Sequence, residues 1–174
     1  QRQMCIRDSC DWLLAPAEQA AWQVLCNTGV WDMPSDSEYF TDTLSVDYSH
    51  GRDACATVLD GVEHRATRTL KWVVENDTSL LDIALNHLTL ARAGLIRAIL
   101  ANPIPQPTLA LPHVTAAVNG LRATGQIDEL PRGLLTAALY HFVRDEPNLA
   151  EKHLTEAQQI AERGPMPLFL ADIH

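Results

Sequence analysis

Seven histidines are the side chains of this chain whose type and spacing could do chemistry. His113 and His153 each begin a recurring five-residue segment, and three others close a recurring Leu-x-x-Ala-x-x-His pattern: His87, His141 and His174. A zinc site needs several ligands within about 2.1 Å of one ion. Histidines of successive repeats are expected to lie about one repeat apart, and the chain has no HExxH or HxH pair. We therefore predict no metal site and no cofactor, and we assign these histidines to packing or groove lining.

A nucleophilic site is the second chemistry that the residue types suggest. Ser49, His50 and Cys55 lie near several acidic residues in the sequence. The chain has no Gly-x-Ser-x-Gly turn, and a catalytic array needs rigid support, whereas this segment is expected to be mobile. We predict no catalytic residue and no enzyme activity. A hydrolytic or small-molecule-binding domain remains the third-ranked alternative.

The charge and composition narrow the class of partner. The net charge is −9, and the 13 basic residues are too few and too scattered for binding to a phosphate backbone, so no nucleic acid is expected. Polar residues interrupt the apolar stretches, and we expect no membrane span. The four cysteines form no CxxC, and the N-terminus lacks a signal-peptide core, which favours a cytoplasmic protein.

A repeated helix is the element that must position these residues. Leucine, alanine and histidine recur at i, i+3 and i+6, which places them on one helix face. The three copies are Leu81-Ala84-His87, Leu135-Ala138-His141 and Leu168-Ala171-His174. Between the copies, residues 113–117 match residues 153–157, where a partner helix should follow. The pattern predicts an all-α protein of stacked antiparallel helical hairpins, each of which buries its apolar face against its neighbours.

Prolines, glycines and acidic residues divide the chain into segments. Residues 1–9 (QRQMCIRDS) resemble a translated sequencing-adapter remnant and are left out of the fold reasoning. A proline belongs in the first turn of a helix, so Pro16 is expected to separate two helices. The predicted segments are a partial hairpin at 10–29, an acidic mobile loop at 30–53, a helix at 54–76, hairpins at 79–125 and 131–164, and the start of a repeat at 167–174. An interaction loop is the alternative for 30–53, and we expect the array to be truncated at both ends.

The second helices carry a family resemblance. An Ala-x-x-x-(Leu/Val)-x-x-(Ala/Val) rhythm recurs as Ala66-Leu70-Val73, Ala110-Val114-Ala117 and Ala150-Leu154-Ala157. It resembles the second helix of the tetratricopeptide repeat, which implies a TPR-like α-solenoid. The third Leu-Ala-His copy follows the second by 33 residues, near the family period of about 34. His141 departs from the family, which usually has an aromatic residue at that position.

Longer segments show a closer resemblance. CDWLLAPAEQAAWQ and LPRGLLTAALYHFVR, among others, look like the C-terminal repeat region of large bacterial tetratricopeptide proteins. Some of those proteins carry a NACHT- or NB-ARC-type ATPase module, but this chain has no G-x-x-x-x-G-K-[ST] motif. The resemblance implies a non-enzymatic protein–protein interaction scaffold from a larger bacterial protein. The alternative is the sensor or regulatory arm of a signal-transducing ATPase.

The same resemblance implies where a partner would bind. In tetratricopeptide arrays the first helices line the concave side, and this carries over to Asn86, Arg132, Tyr140 and Arg144 as candidate groove residues. The partner would be a protein, a peptide or another domain of the parent protein. A purely structural spacer, with its partner surface elsewhere, is the alternative. Incomplete end hairpins would leave apolar faces uncovered, and we therefore expect self-association.

Overall fold

The protein is helical throughout the part of the chain that can be described. A computed structural model describes residues 2–27, 48–76, 79–101, 107–164 and 166–173, and these contain no strand. This confirms the all-α class. The helices are α1 (Arg2–Asn27), α2 (Tyr48–Glu75), α3 (Leu80–Leu100), α4 (Leu111–Thr124), α5 (Leu130–Val143), α6 (Pro147–Arg163) and α7 (Pro167–Ile173). Residues 30–47 of the predicted acidic loop (30–53) lie outside the described residues, as does His174.

The middle helices begin and end at residue types that favour helix ends. The Ser79 hydroxyl accepts a hydrogen bond from the Leu81 amide at 3.2 Å and caps the N-terminus of α3. Gly125 follows α4 with a φ of 68°, a left-handed conformation that favours glycine. Prolines stand in the first turn of α4, α5 and α6, where their missing N–H group leaves no hydrogen bond unmade.

The N-terminal segment differs from the sequence prediction. Residues predicted as two helices separated at Pro16 form one helix, α1, with the proline inside it. The reason is a continuous buried stripe at helical spacing, which packs on α2 and α3 and outweighs the hydrogen bond that the proline removes. The stripe consists of Cys10, Leu14, Ala17, Ala21 and Leu25. Helix α2 also begins earlier than predicted, at Tyr48.

Small residues bring α3 and α4 into close, antiparallel contact. A Cβ placed on Gly94 would lie 3.5 Å from the Cβ of Ala110, and one placed on Gly120 would lie 2.7 Å from that of Ala84. Later positions of α4 therefore face earlier positions of α3, which is an antiparallel pair. The distance at Gly120 is too short for a side chain, so the glycine is required by this crossing.

Helix α3 is the centre of the core. Its buried side chains contribute to three apolar clusters, and it packs on α1, α2, α4 and α5. By length and composition α3 meets the criterion for a membrane-crossing helix, which differs from our expectation that no segment would. Its 18-residue apolar window is 61% buried, and a central helix of a folded core meets the same criterion.

The repeated positions pack well in two copies and not in the third. Ala84, Ala138, Ala150 and Ala157 are buried, and the first two leucines of the motif, together with Leu154, are half-buried. The third copy differs from the predicted buried face, because Leu168 is 80% exposed and Ala171 is exposed as well. Helix α7 contacts only α5 and α6 among the described elements, so its outer face is uncovered.

Candidate functional site

A groove runs between the odd-numbered helices. Helix α1 packs on α3, α3 on α5 and α5 on α7, so that these four helices share one side of the molecule. Between them lies a cavity of about 600 Å³, to which α6 also contributes. Its lining is mainly apolar and includes Trp22, Leu95, Leu135, Leu139, Phe169 and Ile173. We call this cavity the odd-helix groove.

Two arginines form the polar part of the groove wall. Arg92 on α3 donates to Glu18 Oε1 at 2.5 Å and to Asp11 Oδ1 at 2.6 Å. Arg132 on α5 lies 2.8 Å from the same Asp11 oxygen. Asp11 thus joins three helices through one carboxylate. Charge-assisted bonds of this kind are short and directional, so the network fixes the positions of α1, α3 and α5 around the groove.

Arg132 is the one predicted groove residue that lines the cavity. Tyr140 is 1% exposed and belongs to an apolar core cluster, so its prediction as a groove residue is wrong. Arg144 donates to the Tyr140 hydroxyl at 3.1 Å and pairs with Glu146 at the end of α5. The Asn86 side chain donates to the Asp82 carbonyl oxygen at 2.8 Å. Neither Arg144 nor Asn86 lines the groove.

Sequence reasoning missed the apolar residues of the groove. Trp22 is 45% exposed at the cavity, and Leu135 and Leu139 are half-buried there. One signal was present in the sequence: the first helix of the hairpin at 131–164 carries leucines four residues apart beside its core stripe. Such a pattern does not show which neighbouring helix the extra leucines face, because that depends on the packing.

The structure brings the recurring histidines together in pairs. His87 on α3 and His113 on α4 lie with their Nδ1 atoms 2.8 Å apart. In the next hairpin, the rings of His141 and His153 stack with centroids 5.4 Å apart and planes 11° apart. The expectation of histidines separated by a repeat missed this pairing within each hairpin. A signal was available, since each hairpin carries one histidine from each recurring motif.

Burial and neighbouring groups shift the pKa of several of these side chains. Burial lowers the pKa of His87, and the nearby His113 lowers it further. Burial also lowers the pKa of His113 and of His153. The hydrogen bond from His141, joined by one from Arg144, lowers the pKa of Glu146. The lowered pKa values of His87, His113 and His153 favour the neutral forms of these three side chains in the folded protein.

The arrangement offers little for metal or nucleophilic chemistry in the described part of the chain. No group of three or more His, Cys, Asp and Glu residues there could hold a metal ion. The Cys55 thiol is half-buried, and burial raises its pKa, which disfavours the reactive thiolate. The side chains of Ser49 and His50 lie outside the described residues.

In the described part of the chain, the fold and the groove define an all-α protein with a mainly apolar cavity between adjacent helices. Comparisons with protein-family models, curated proteins and solved structures give no match for this chain.

Proposed function

We propose that this chain is a non-enzymatic interaction module that binds a segment of another polypeptide in the odd-helix groove. The observation that carries the proposal is the groove itself, an apolar cavity of about 600 Å³ with a half-exposed tryptophan in its wall. Clefts lined by apolar and aromatic side chains with a few placed polar groups are typical binding sites. The groove is already formed in the structure without a conformational change.

The packing order supports a repeat arrangement of the tetratricopeptide type. Each helix from α3 onward packs on its sequence neighbours, and each odd-numbered helix also packs on the next one. In such an array the first helices of successive hairpins form one continuous surface, while the second helices cover their other side. The groove lies on the surface that first helices would form.

The lining indicates the chemistry of the partner segment. Apolar side chains of the segment would occupy the space between Trp22, Leu139 and Phe169, where they lose contact with water. Arg92 and Arg132 already bond carboxylates of the same chain, so they orient the wall and leave little net positive charge to attract an anion. We therefore expect a partner segment with two or three large apolar anchors.

A displayed library of random peptides, selected on the purified full chain, tests this function. We expect enriched peptides that share spaced large apolar residues. Replacing Trp22 with Ala should weaken their binding about tenfold or more, because buried aromatic anchors carry a large share of binding energy. Dissociation constants from fluorescence anisotropy of labelled peptides provide the measurement.

The matched control is Trp72→Ala. Trp72 is 52% exposed on α2 and does not line the groove, so its removal should change peptide affinity by less than about twofold. Failure to enrich any peptide, or equal effects of the two tryptophan substitutions, would contradict the proposal. Binding of apolar small molecules with no peptide binding would identify a ligand site instead.

A further inference from the structure

The two histidine pairs lie where the first and second helices of a hairpin meet. His87 and His113 join α3 to α4, and His141 and His153 join α5 to α6. Each pair combines one histidine from each recurring sequence motif, so each of these two hairpins carries such a pair. We call the two pairs the histidine seam.

The first pair can hold one shared proton but not two. A neutral imidazole has one donor and one acceptor nitrogen, so Nδ1 of one ring can donate to Nδ1 of the other at 2.8 Å. When both rings are protonated, both Nδ1 atoms carry hydrogen and the bond becomes a repulsive contact. His113 is also the third residue of α4, where the helix dipole disfavours a cation.

The charged neighbours of the first pair do not offset the repulsion between two protonated rings. The negative charge of Glu63 on α2 acts to raise the pKa of His113, against the larger effect of burial. The same carboxylate already pairs with Arg97, whose Nη2 lies 3.1 Å from Glu63 Oε2. Much of the negative charge is therefore compensated, and burial dominates at both rings of the pair.

The second pair also disfavours protonation of both rings, but for a different reason. His141 lies in the last turn of α5, and its Nδ1 is 2.7 Å from Glu146 Oε2, so a hydrogen on Nδ1 donates to that carboxylate. The stacked His153 has a buried Nδ1 with no hydrogen-bond partner in the described structure. Arg122 and Lys152 oppose a proton on His153, and Glu156 favours one while bonding Arg122.

We propose that the histidine seam makes this protein acid-responsive, with mildly acidic solution loosening the packing between the two helices of each hairpin. Neutral rings join the helices, and protonation of both rings of a pair can be accommodated only when the rings separate. The seam lies apart from the odd-helix groove, because none of its four histidines lines that cavity. The inference therefore holds whether or not the groove binds a peptide.

The direction of the pH effect follows from the lowered pKa values. His87, His113 and His153 have native pKa values below the ordinary 6.5, so the unfolded chain binds more protons than the folded one as the pH falls. The stabilisation is fully present above the pKa of the histidines in the unfolded chain. It is lost as the pH falls from that pKa toward the lower pKa values of the folded protein. Each proton taken up on unfolding raises the unfolding equilibrium constant up to about tenfold per pH unit.

Urea unfolding of the full chain, followed by circular dichroism between about pH 7.5 and 5.5, tests the proposal. We expect the wild-type unfolding constant to rise steeply over this range. In His87→Gln/His113→Gln the rise should be shallower, because amide side chains keep a hydrogen bond across the seam but do not titrate. His153→Gln should likewise make the rise of the unfolding constant shallower.

The matched control is His64→Gln. His64 is an exposed histidine on α2 outside both pairs, so the pH dependence should equal that of the wild type. If the double variant unfolds at every pH, NMR titration of the wild-type imidazoles decides the question. Folded-state protonation of His87 and His113 at or above pH 6.5, or an unchanged pH dependence in the folded variants, would overturn the proposal.

Discussion

Single small residues set the distance between α3 and α4. Gly120 faces Ala84 so closely that an added Cβ would lie 2.7 Å from the alanine Cβ and 3.4 Å from its Cα. The second atom belongs to the backbone and cannot rotate away. The hairpin therefore depends on a residue with no side chain at this position, although glycine is otherwise unfavourable within a helix.

Two glycine-to-alanine substitutions should have opposite effects. Gly120→Ala should lower the free energy of unfolding by roughly 1–3 kcal/mol, because the methyl group forces the helices apart. Gly61→Ala in α2 should raise it by about 0.5–1 kcal/mol, since nothing lies within 4 Å of its added Cβ and alanine favours the helix. Urea denaturation of both variants measures the difference. Equal changes would mean that the close crossing is absent.

Arg132 is a predicted groove residue whose role in partner binding stays a prediction. The side chain lines the groove, but its guanidinium is bonded to Asp11 from another helix. Its position along α5 follows from the helical period. Its partner comes from a distant part of the chain and cannot be identified from local spacing.

Helix α1 is the element in which structure and sequence reasoning differ most. The helix continues through Pro16 because the residues on either side form one buried stripe. Proline removes one backbone hydrogen bond and its ring crowds the preceding turn, at a cost of about 3 kcal/mol in a helix interior. Packing on α2 and α3 must outweigh that cost.

Replacing Pro16 with Ala distinguishes one helix from two. In a continuous helix the substitution restores a hydrogen bond at an exposed position, and we expect the free energy of unfolding to rise by about 1–3 kcal/mol. Thermal and urea unfolding provide the measurement. An unchanged or lower stability would favour the hairpin predicted from the sequence, in which Pro16 begins a second helix.

At the scale of the whole molecule, apolar surface remains uncovered. No residue of α7 is buried, and Leu168 is largely exposed. An uncovered apolar helix face favours association with another copy. The net charge of −9 opposes such association at low ionic strength.

We therefore predict concentration-dependent self-association that increases with salt. Light scattering over a dilution series should show the mean mass rising with protein concentration. Leu168→Glu should weaken this association, whereas Leu109→Glu, at an exposed turn position away from α7, should leave it unchanged. A strict monomer at every dilution would contradict the prediction.

Much of the secondary structure could be predicted from the sequence, and the reason is that its signals are local. Prolines and Gly125 mark helix ends, and the Leu-x-x-Ala-x-x-His spacing marks a helix face. The apolar period also marks a buried face of α3. None of these signals requires knowledge of which helices touch.

The sequence by itself determined the all-α class, because helical periodicity and helix-terminal residues act over a few positions. Only the tertiary structure decided the pairing of His87 with His113, the burial of Tyr140 and the continuity of α1. It also decided the groove, whose wall is tied by Arg92 to a carboxylate 81 residues earlier. Such contacts depend on how whole helices pack, and no local spacing encodes that arrangement.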